Sequence, residues 1–353
     1  MSLGAFQSDR SLDPDRPESP RISVVVTAYR RRTYLEEAFR SVLQQTLDPS
    51  EYEIIVIKDF PLPSIDNLVP DGGPRVRIVT AELPRVGQML ARGIAETEGD
   101  IVCFLDDDDR YHEGKLAAVL DRFRADPDLA FYHHWFAPID ALGQPYPSWR
   151  PALPTPASVP VGRAVPERVF AAFEHASGHG NLSCIGVRRD VVVPHLDLLS
   201  RITSSTDYAL LACGLASSGV LRSETAVLSD YRVHPSTTRL ADPATLIRRA
   251  NEDCASFAVM RQICRGSRAD RYVSSLAANA AIERYLVDPT SAPPELPVYF
   301  WTFMAARFYP TPWAFVRWVW AVARRLAPVR ANRAYVARKQ ILTVRTQAPR
   351  RGR

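Results

Sequence analysis

A run of four carboxylates, Asp106 to Asp109, follows directly on five apolar residues, Ile101 to Leu105. An apolar run of this kind, placed after the turn signal Gly99-Asp100, is typical of a strand buried on both faces of a parallel sheet. Open α/β sheets bind their ligands beyond the carboxyl ends of the strands. Because four crowded carboxylates repel one another unless a cation compensates them, the pattern predicts a divalent metal site that holds a phosphate.

Other interpretations of the acidic run are an acidic surface turn or a helix N-terminus, where Asp is favoured. An EF-hand loop that starts at Asp106 would need Gly in place of Tyr111 and Glu in place of Ala117. A phosphatase nucleophile of the form Asp-x-Asp-x-Thr/Val is disfavoured because Arg110 occupies the last position. The run alone leaves the metal site and the surface turn open.

Strands and amphipathic helices alternate over the region that surrounds the run. Strands are predicted for residues 21–27, 53–57, 75–79 and 101–105. The first helix is predicted with Thr33 as its N-cap and Glu36 as its capping-box partner, and a later helix carries Val86, Leu90 and Ile94. This alternation predicts a three-layer α/β domain with a parallel or mixed sheet.

Several ordered blocks resemble those of family 2 glycosyltransferases. The blocks are Ser23–Tyr29, Ser41–Thr46, Glu53–Asp59, Gly87–Ile94 and Gly99–Asp108, and later Thr206–Leu211 and Tyr231–His234. The resemblance implies a GT-A (Rossmann-like) fold and an inverting, metal-dependent transfer of a sugar from a nucleotide diphosphate sugar. The Pro-rich residues 138–166, predicted to form a long loop, depart from the family pattern.

The resemblance also implies roles on the donor side of the site. Asp108 would coordinate Mg²⁺ or Mn²⁺, with Asp106 as a further ligand, while Asp106 and Asp107 would contact the ribose and donor sugar or hold metal-bound waters. Thr27 and Tyr29 would line the nucleoside loop, and Asp59 would accept a hydrogen bond from the base. Asp59 could otherwise be an ordinary turn residue, and Asp109 is interpreted as the cap of a helix that starts near His112.

On the acceptor side, Asp207 matches the position of the family's catalytic base, which takes the proton of the attacking hydroxyl. Its other interpretation is a first-turn aspartate of a helix that buries Ala209, Leu210, Leu211 and Leu215. The Tyr-Arg-x-His match implies that His234 contacts the metal or diphosphate, or is structural. Arg232 would pair with phosphate or with a carboxylate of the site.

The end of the chain is basic and aromatic. After Glu295 there are 12 Lys or Arg and no Asp or Glu, and four of the six tryptophans lie within residues 301–320. Arg307, Pro310, Pro312 and Arg317 interrupt the apolar pattern that a membrane span needs. The segment is typical of an interfacial helix on an anionic membrane or of a core-packing helix with a basic face. Without a recognition module, nucleic acid is not an expected partner.

Four regions are expected: a disordered tail (1–20), a nucleotide-sugar-binding half (21–135), an acceptor-binding half (136–240) and a basic helical region (241–353). Five cysteines without paired spacing and a polar N-terminus indicate a cytoplasmic protein, peripheral at the inner face of the plasma membrane if the basic end binds lipid. The acceptor would then be a glycan or a lipid-linked acceptor of the cell envelope. The rival functions are a nucleotide-sugar-binding scaffold without turnover and a nucleotidyltransferase.

Overall fold

The computed structural model describes residues 21–146, 156–162, 169, 170, 173, 180–233, 242–305, 313–328 and 330–337. The strands are β1 (Ile22–Ala28), β2 (Tyr52–Lys58), β3 (Arg75–Thr80), β4 (Ile101–Asp106), β5 (Arg110–Tyr111), β6 (Leu129–Ile139), β7 (Ala157–Pro160), β8 (Ile185–Arg188) and β9 (Val220–Arg232). The helices are α1 (Leu35–Leu43), α2 (Pro63–Asp66), α3 (Val86–Ala95), α4 (Lys115–Ala125), α5 (Arg189–Val192), α6 (Leu196–Leu199), α7 (Thr206–Ala216), α8 (Pro243–Ile263), α9 (Asp270–Val287), α10 (Leu296–Ala305) and α11 (Trp313–Leu326).

Within this described part, nine strands form one mixed sheet in the order β3-β2-β1-β4-β8-β6-β9-β5, with β7 paired to β9. The first four strands in this order are parallel, so their carboxyl ends meet at one edge. The four predicted strands are confirmed, each within one or two residues. The apolar residues of β4 are fully buried, as expected for a strand covered on both faces.

Helices cover both faces of the sheet. In β1 the side chains alternate, so that Val24 and Val26 face α1 and α4 while Val25 faces α3 and α7. Each face therefore has its own apolar core, and the predicted three-layer α/β architecture is confirmed.

The start of α1 differs from the prediction. The residue at the N-cap position is Tyr34, its side chain makes no capping hydrogen bond, and Glu36 pairs instead with Arg40 at 2.9 Å. The capping box of Thr33 and Glu36 was therefore wrong, because Glu36 lies one turn from a cation within the helix.

The predicted C-terminal helices are present, and they pack on the α/β domain. Val259, Met260 and Ile263 of α8 belong to the core on the α7 side of the sheet, while α10 and α11 pack on α9. The division at residue 241 stays a prediction. No helix of the described residues combines the length and apolar character that crossing a membrane requires.

Candidate functional site

Two strand ends bring the predicted donor-side residues together. β1 lies between β2 and β4, with Thr27 in register with Asp106 and Ala28 in register with Lys58. The loop after β1 and the aspartates after β4 therefore leave the sheet side by side. This edge is where open α/β sheets bind ligands.

Three of the four aspartates converge. Asp106, Asp108 and Asp109 each place a carboxylate oxygen within 4.8 Å of the other two. Asp109 is 1% exposed, and its Oδ2 atom has no hydrogen-bond partner among the described residues. Carboxylate oxygens are the ligands that Mg²⁺ and Mn²⁺ prefer, so a set of three with one buried oxygen left over fits such an ion.

The position of Asp109 corrects the sequence interpretation. The following helix α4 starts at Lys115 with Gly114 as its N-cap, and Asp109 Oδ1 instead accepts a hydrogen bond of 3.0 Å from the backbone N of Arg232. The helix cap was wrong because the short strand β5 lies between the acidic run and α4 and pairs with β9.

Burial and neighbouring charges raise the pKa values of the Asp106 and Asp109 carboxyls. Burial and the neighbouring charges of Asp108, Asp109 and Asp107 raise the pKa of Asp106 well above its ordinary value, although Arg31 opposes the shift. Burial and the charge of Asp108 raise the pKa of Asp109 to about 7. Since the crowded site disfavours full ionisation, a bound divalent cation would stabilise the charged form.

Asp107 points elsewhere. Its Oδ1 atom accepts a hydrogen bond of 3.0 Å from Nε of Arg31, and Arg31 Nη1 reaches Asp108 Oδ2 at 2.6 Å. Burial raises the pKa of Asp107 to about 7, with Arg31 opposing it. The guanidinium of Arg31 thus compensates part of the negative charge of Asp107 and Asp108.

Arg232 is a buried residue that holds the acidic loop through hydrogen bonds to Asp108 and Asp109. It is 2% exposed, its Nη2 pairs with Glu37 at 2.6 Å and its Nε donates to the backbone oxygen of Asp108 at 2.8 Å. Glu37 of α1 also pairs with Arg110 at 2.8 Å. Arg232 thus pairs with the carboxylate of Glu37, and its contacts to Asp108 and Asp109 hold the acidic loop in position. Its pairing with a phosphate stays a prediction.

The loop after β1 carries the predicted nucleoside residues. The hydroxyl of Tyr29 donates to the backbone oxygen of Pro84 at 3.0 Å, and the backbone N of Arg30 donates to Asp59 Oδ1 at 2.8 Å. Arg30 has a positive φ of 58°. Asp59 therefore fixes the turn that follows Tyr29, at the end of the strand in which Thr27 is in register with Asp106.

Asp207 lies in the first turn of α7, where its Oδ1 atom accepts a hydrogen bond from the backbone N of Tyr208 at 2.9 Å. The apolar face predicted for this helix is buried. The residue before the helix, Ser205, has the left-handed φ of 55°. Its conformation is held from α8, through Asp253 Oδ1, which accepts from the hydroxyls of Ser204 at 2.7 Å and of Ser205 at 3.2 Å.

Arg31, Glu37 and Lys115 also contact the site, and none of them was predicted from the sequence. Lys115 is fully buried and donates to the backbone oxygen of Ser183 at 2.6 Å, while Ser183 Oγ accepts from the backbone N of Asp106 at 3.0 Å. Burial lowers the pKa of Lys115 to about 7. The run Arg30-Arg31-Arg32 directly after β1 was a signal for Arg31, whereas the role of Lys115 depends on contacts distant in sequence.

Residues 23–179 match the family described as Glycosyl transferase family 2. The inferred resemblance is confirmed. An uncharacterized glycosyltransferase from Rickettsia bellii is 30% identical over 126 residues, which are 35% of this chain and 18% of that protein. One from Nostoc sp. is 28% identical over 118 residues, 32% of this chain and 36% of that protein. The matched segments therefore span less than two-fifths of the length of either relative.

A solved structure resembles the whole fold. The crystal structure of S. aureus TarS 1–349 in complex with UDP-GlcNAc is 14% identical, with a TM-score of 0.53, and the match covers 92% of this chain and 90% of that chain. The same protein in complex with UDP gives a TM-score of 0.51, with 92% and 89% covered. At this identity the likeness shows the fold alone, and it confirms the predicted GT-A fold with C-terminal helices.

Some predictions lie outside the described residues. They include His234, the tail 1–20, much of the Pro-rich segment, and residues 306–312 of the basic aromatic end. All five cysteines are described and are free thiols, four of them buried.

Proposed function

We propose that this protein is an inverting glycosyltransferase that moves a sugar from a nucleotide diphosphate sugar to a hydroxyl of a glycan or lipid-linked acceptor. The observation that supports it most is the convergence of Asp106, Asp108 and Asp109 beside the nucleoside loop, with a buried oxygen of Asp109 left without a partner. Mg²⁺ or Mn²⁺ bound there would neutralise the diphosphate as it leaves.

The chain's own residues would divide the work as follows. Thr27, Tyr29 and Asp59 would hold the nucleoside, and Asp106 and Asp108, with Asp109, would hold the ion. Arg232 would keep the acidic loop in place, with Asp107 holding Arg31 next to it. His234 is proposed as a further ligand on the Tyr-Arg-x-His match.

Asp207 is the proposed base. As the acceptor oxygen bonds to the anomeric carbon, the bond from that carbon to the diphosphate oxygen breaks and the acceptor proton passes to the Asp207 carboxylate. Attack from the face opposite the leaving group inverts the anomeric centre. General-base catalysis of this kind contributes about 10² to 10⁴ in rate.

We also propose that the C-terminal helices contact an anionic membrane, which would place the protein at the inner face of the plasma membrane and favour a cell-envelope acceptor. The support is a set of exposed apolar side chains on α10 and α11: Leu296 (75% exposed), Phe300 (57%), Val319 (44%) and Leu326 (83%). Two cations of α11 serve other contacts, since Arg317 pairs with Glu283 at 3.2 Å and Arg324 is 3% exposed.

The test is a screen of nucleotide sugars with Mn²⁺ by thermal shift, starting with UDP-GlcNAc because the TarS structure contains it. A ligand that binds the folded state raises the melting temperature in proportion to ln(1 + [L]/Kd). A donor-hydrolysis assay then separates an enzyme from a scaffold, since a scaffold stabilises without turnover. Pyrophosphate release from a nucleoside triphosphate and a sugar phosphate would instead indicate a nucleotidyltransferase.

A further inference from the structure

Three consecutive arginines follow β1 and have different environments. Arg30 stacks over the ring of Tyr29 at 4.7 Å, and Arg32 stacks over the ring of Phe60 at 4.9 Å. Arg31 instead reaches the acidic run, where it joins Asp107 and Asp108. Within this triplet, Arg31 is thus the residue placed to act on the candidate metal site.

The two carboxylates hold Arg31 in different ways. Asp107 is 2% exposed, and its Oδ1 atom accepts hydrogen bonds from both Nε and Nη2 of the guanidinium. Charge-assisted hydrogen bonds of this kind are stronger than those between neutral groups. Asp108 receives Nη1 through its Oδ2 atom and belongs to the three-carboxylate group. Asp107 therefore anchors the guanidinium through Nε and Nη2, and the third nitrogen, Nη1, pairs with Asp108.

This arrangement puts two cations in competition for Asp108. An ion bound by Asp106, Asp108 and Asp109 would lie next to the guanidinium, and two positive charges at such separation repel each other. When the ion takes Asp108, the guanidinium stays anchored by Asp107 and its positive charge lies next to the ion site. A diphosphate is the anion that suits it, because arginine binds phosphate oxygens as it binds carboxylates.

We propose that Arg31 serves as the counter-ion of Asp108 in the empty enzyme and transfers to the diphosphate of the donor when the ion binds. The inference rests on the proposed function. Its consequence is that ion and diphosphate bind cooperatively: the ion alone must displace Arg31 with no compensating anion, whereas the ion together with a diphosphate gives Arg31 a new partner. Such coupling is reciprocal, so each ligand raises the affinity for the other.

The experiment measures two affinities for the parent and for Arg31→Gln. The first is for Mn²⁺ alone, from the electron paramagnetic resonance signal of the free ion. The second, by calorimetry at saturating Mn²⁺, is for whichever of UDP, GDP, CDP and dTDP the parent binds best. We expect Arg31→Gln to bind Mn²⁺ alone about tenfold more tightly and the nucleoside diphosphate about tenfold more weakly.

Opposite changes in the two affinities are the signature, because a merely structural loss would weaken both. Arg32→Gln is the matched control, since it removes the next cation in the chain and should change neither affinity. Should Arg31→Gln fail to fold, Arg31→Lys takes its place, because lysine keeps the positive charge but lacks the planar set of N–H donors. We expect the two affinities to change in the same opposite directions, by smaller factors.

Unchanged or weaker Mn²⁺ binding by the Arg31 variant would overturn the inference and leave the proposed function standing. A parent that binds Mn²⁺ with no nucleoside diphosphate, or that binds neither ligand, would overturn the proposed function and the inference together. The two failures are therefore distinguishable in the same data.

Discussion

The Oγ atom of Ser256 in α8 accepts a hydrogen bond of 3.1 Å from the backbone N of Ser204. It accepts another of 3.1 Å from the backbone N of Thr203. Thr203 and Ser204 directly precede Ser205, which has a left-handed backbone conformation. This conformation is unfavourable for a residue with a Cβ atom, so it persists only where surrounding contacts stabilise it. A fully buried serine of the C-terminal helices thus supports the turn that leads into Asp207.

Removal of this hydroxyl should therefore disturb the turn. In Ser256→Ala the two backbone N–H groups lose their acceptor, which should cost about 1–3 kcal/mol of unfolding free energy. We expect kcat to fall about tenfold with the donor Kd unchanged, because the donor side does not depend on this turn. Steady-state kinetics and donor calorimetry measure the two effects.

Asp253→Asn is the control, since the amide oxygen still accepts from Ser204, and its kcat should stay near the parent's. A kcat equal to the parent's in Ser256→Ala, despite lower stability, would contradict a positioning role.

The role of Asp207 can be separated from that of a first-turn aspartate. Asp207→Asn keeps an oxygen that can accept from Tyr208 N but removes the base. We expect kcat to fall by about 10² or more while the donor Kd stays within a factor of about two. Rapid-quench measurement of the chemical step checks this. If the variant turns over at the parent's rate, Asp207 contributes to α7 and not to proton transfer.

Asp109 should give the ion-free protein a particular pH dependence. Its ordinary pKa of 3.8 is raised to about 7 in the folded state, so folding favours its protonated form. The stabilisation is therefore fully present below about pH 4 and is lost as the pH rises to about 7, by up to about 1.4 kcal/mol per pH unit. Asp109→Asn keeps an oxygen that accepts the hydrogen bond from the backbone N of Arg232. Because the amide does not ionise, the unfolding free energy of this variant should not fall in the same way with rising pH. Urea unfolding in EDTA at several pH values should show the parent losing stability relative to the variant across this window. Parallel curves for the two proteins would count against a buried, ionisable Asp109.

The exposed apolar side chains of α10 and α11 test membrane contact. The triple variant Phe300→Ser, Val319→Ser and Leu326→Ser removes apolar surface that is already exposed, so its melting temperature should stay close to the parent's. We expect the parent to sediment with vesicles that contain anionic lipid, and rising salt to weaken this binding. The triple variant should bind about tenfold less. Leu142→Ser, an exposed leucine outside these helices, is the control. If the parent does not bind anionic vesicles at low salt, the proposal that α10 and α11 contact a membrane is contradicted.

The sequence was sufficient for features carried by contiguous residues. The buried run Ile101 to Leu105 predicted β4, and the aspartates that follow it lie at the sheet edge as expected. The prediction of Thr33 as the cap was wrong because the helix begins one residue later, with Tyr34 at the N-cap position, and Glu36 pairs with Arg40. Asp109 was misjudged because its partner, Arg232, lies in β9, more than a hundred residues away. Contacts between distant residues decide such positions, and a single sequence does not contain them.

The most direct test of the account is a calorimetric titration of the donor into the parent and into Asp108→Asn, each with and without Mn²⁺. Asp108 is half-buried at the surface end of the sheet, so the variant should stay folded. We expect the parent to bind the donor at least about tenfold more tightly with Mn²⁺ than without it, and the variant to lose that difference. Equal donor affinities of parent and variant in the presence of Mn²⁺ would contradict an ion held by these aspartates.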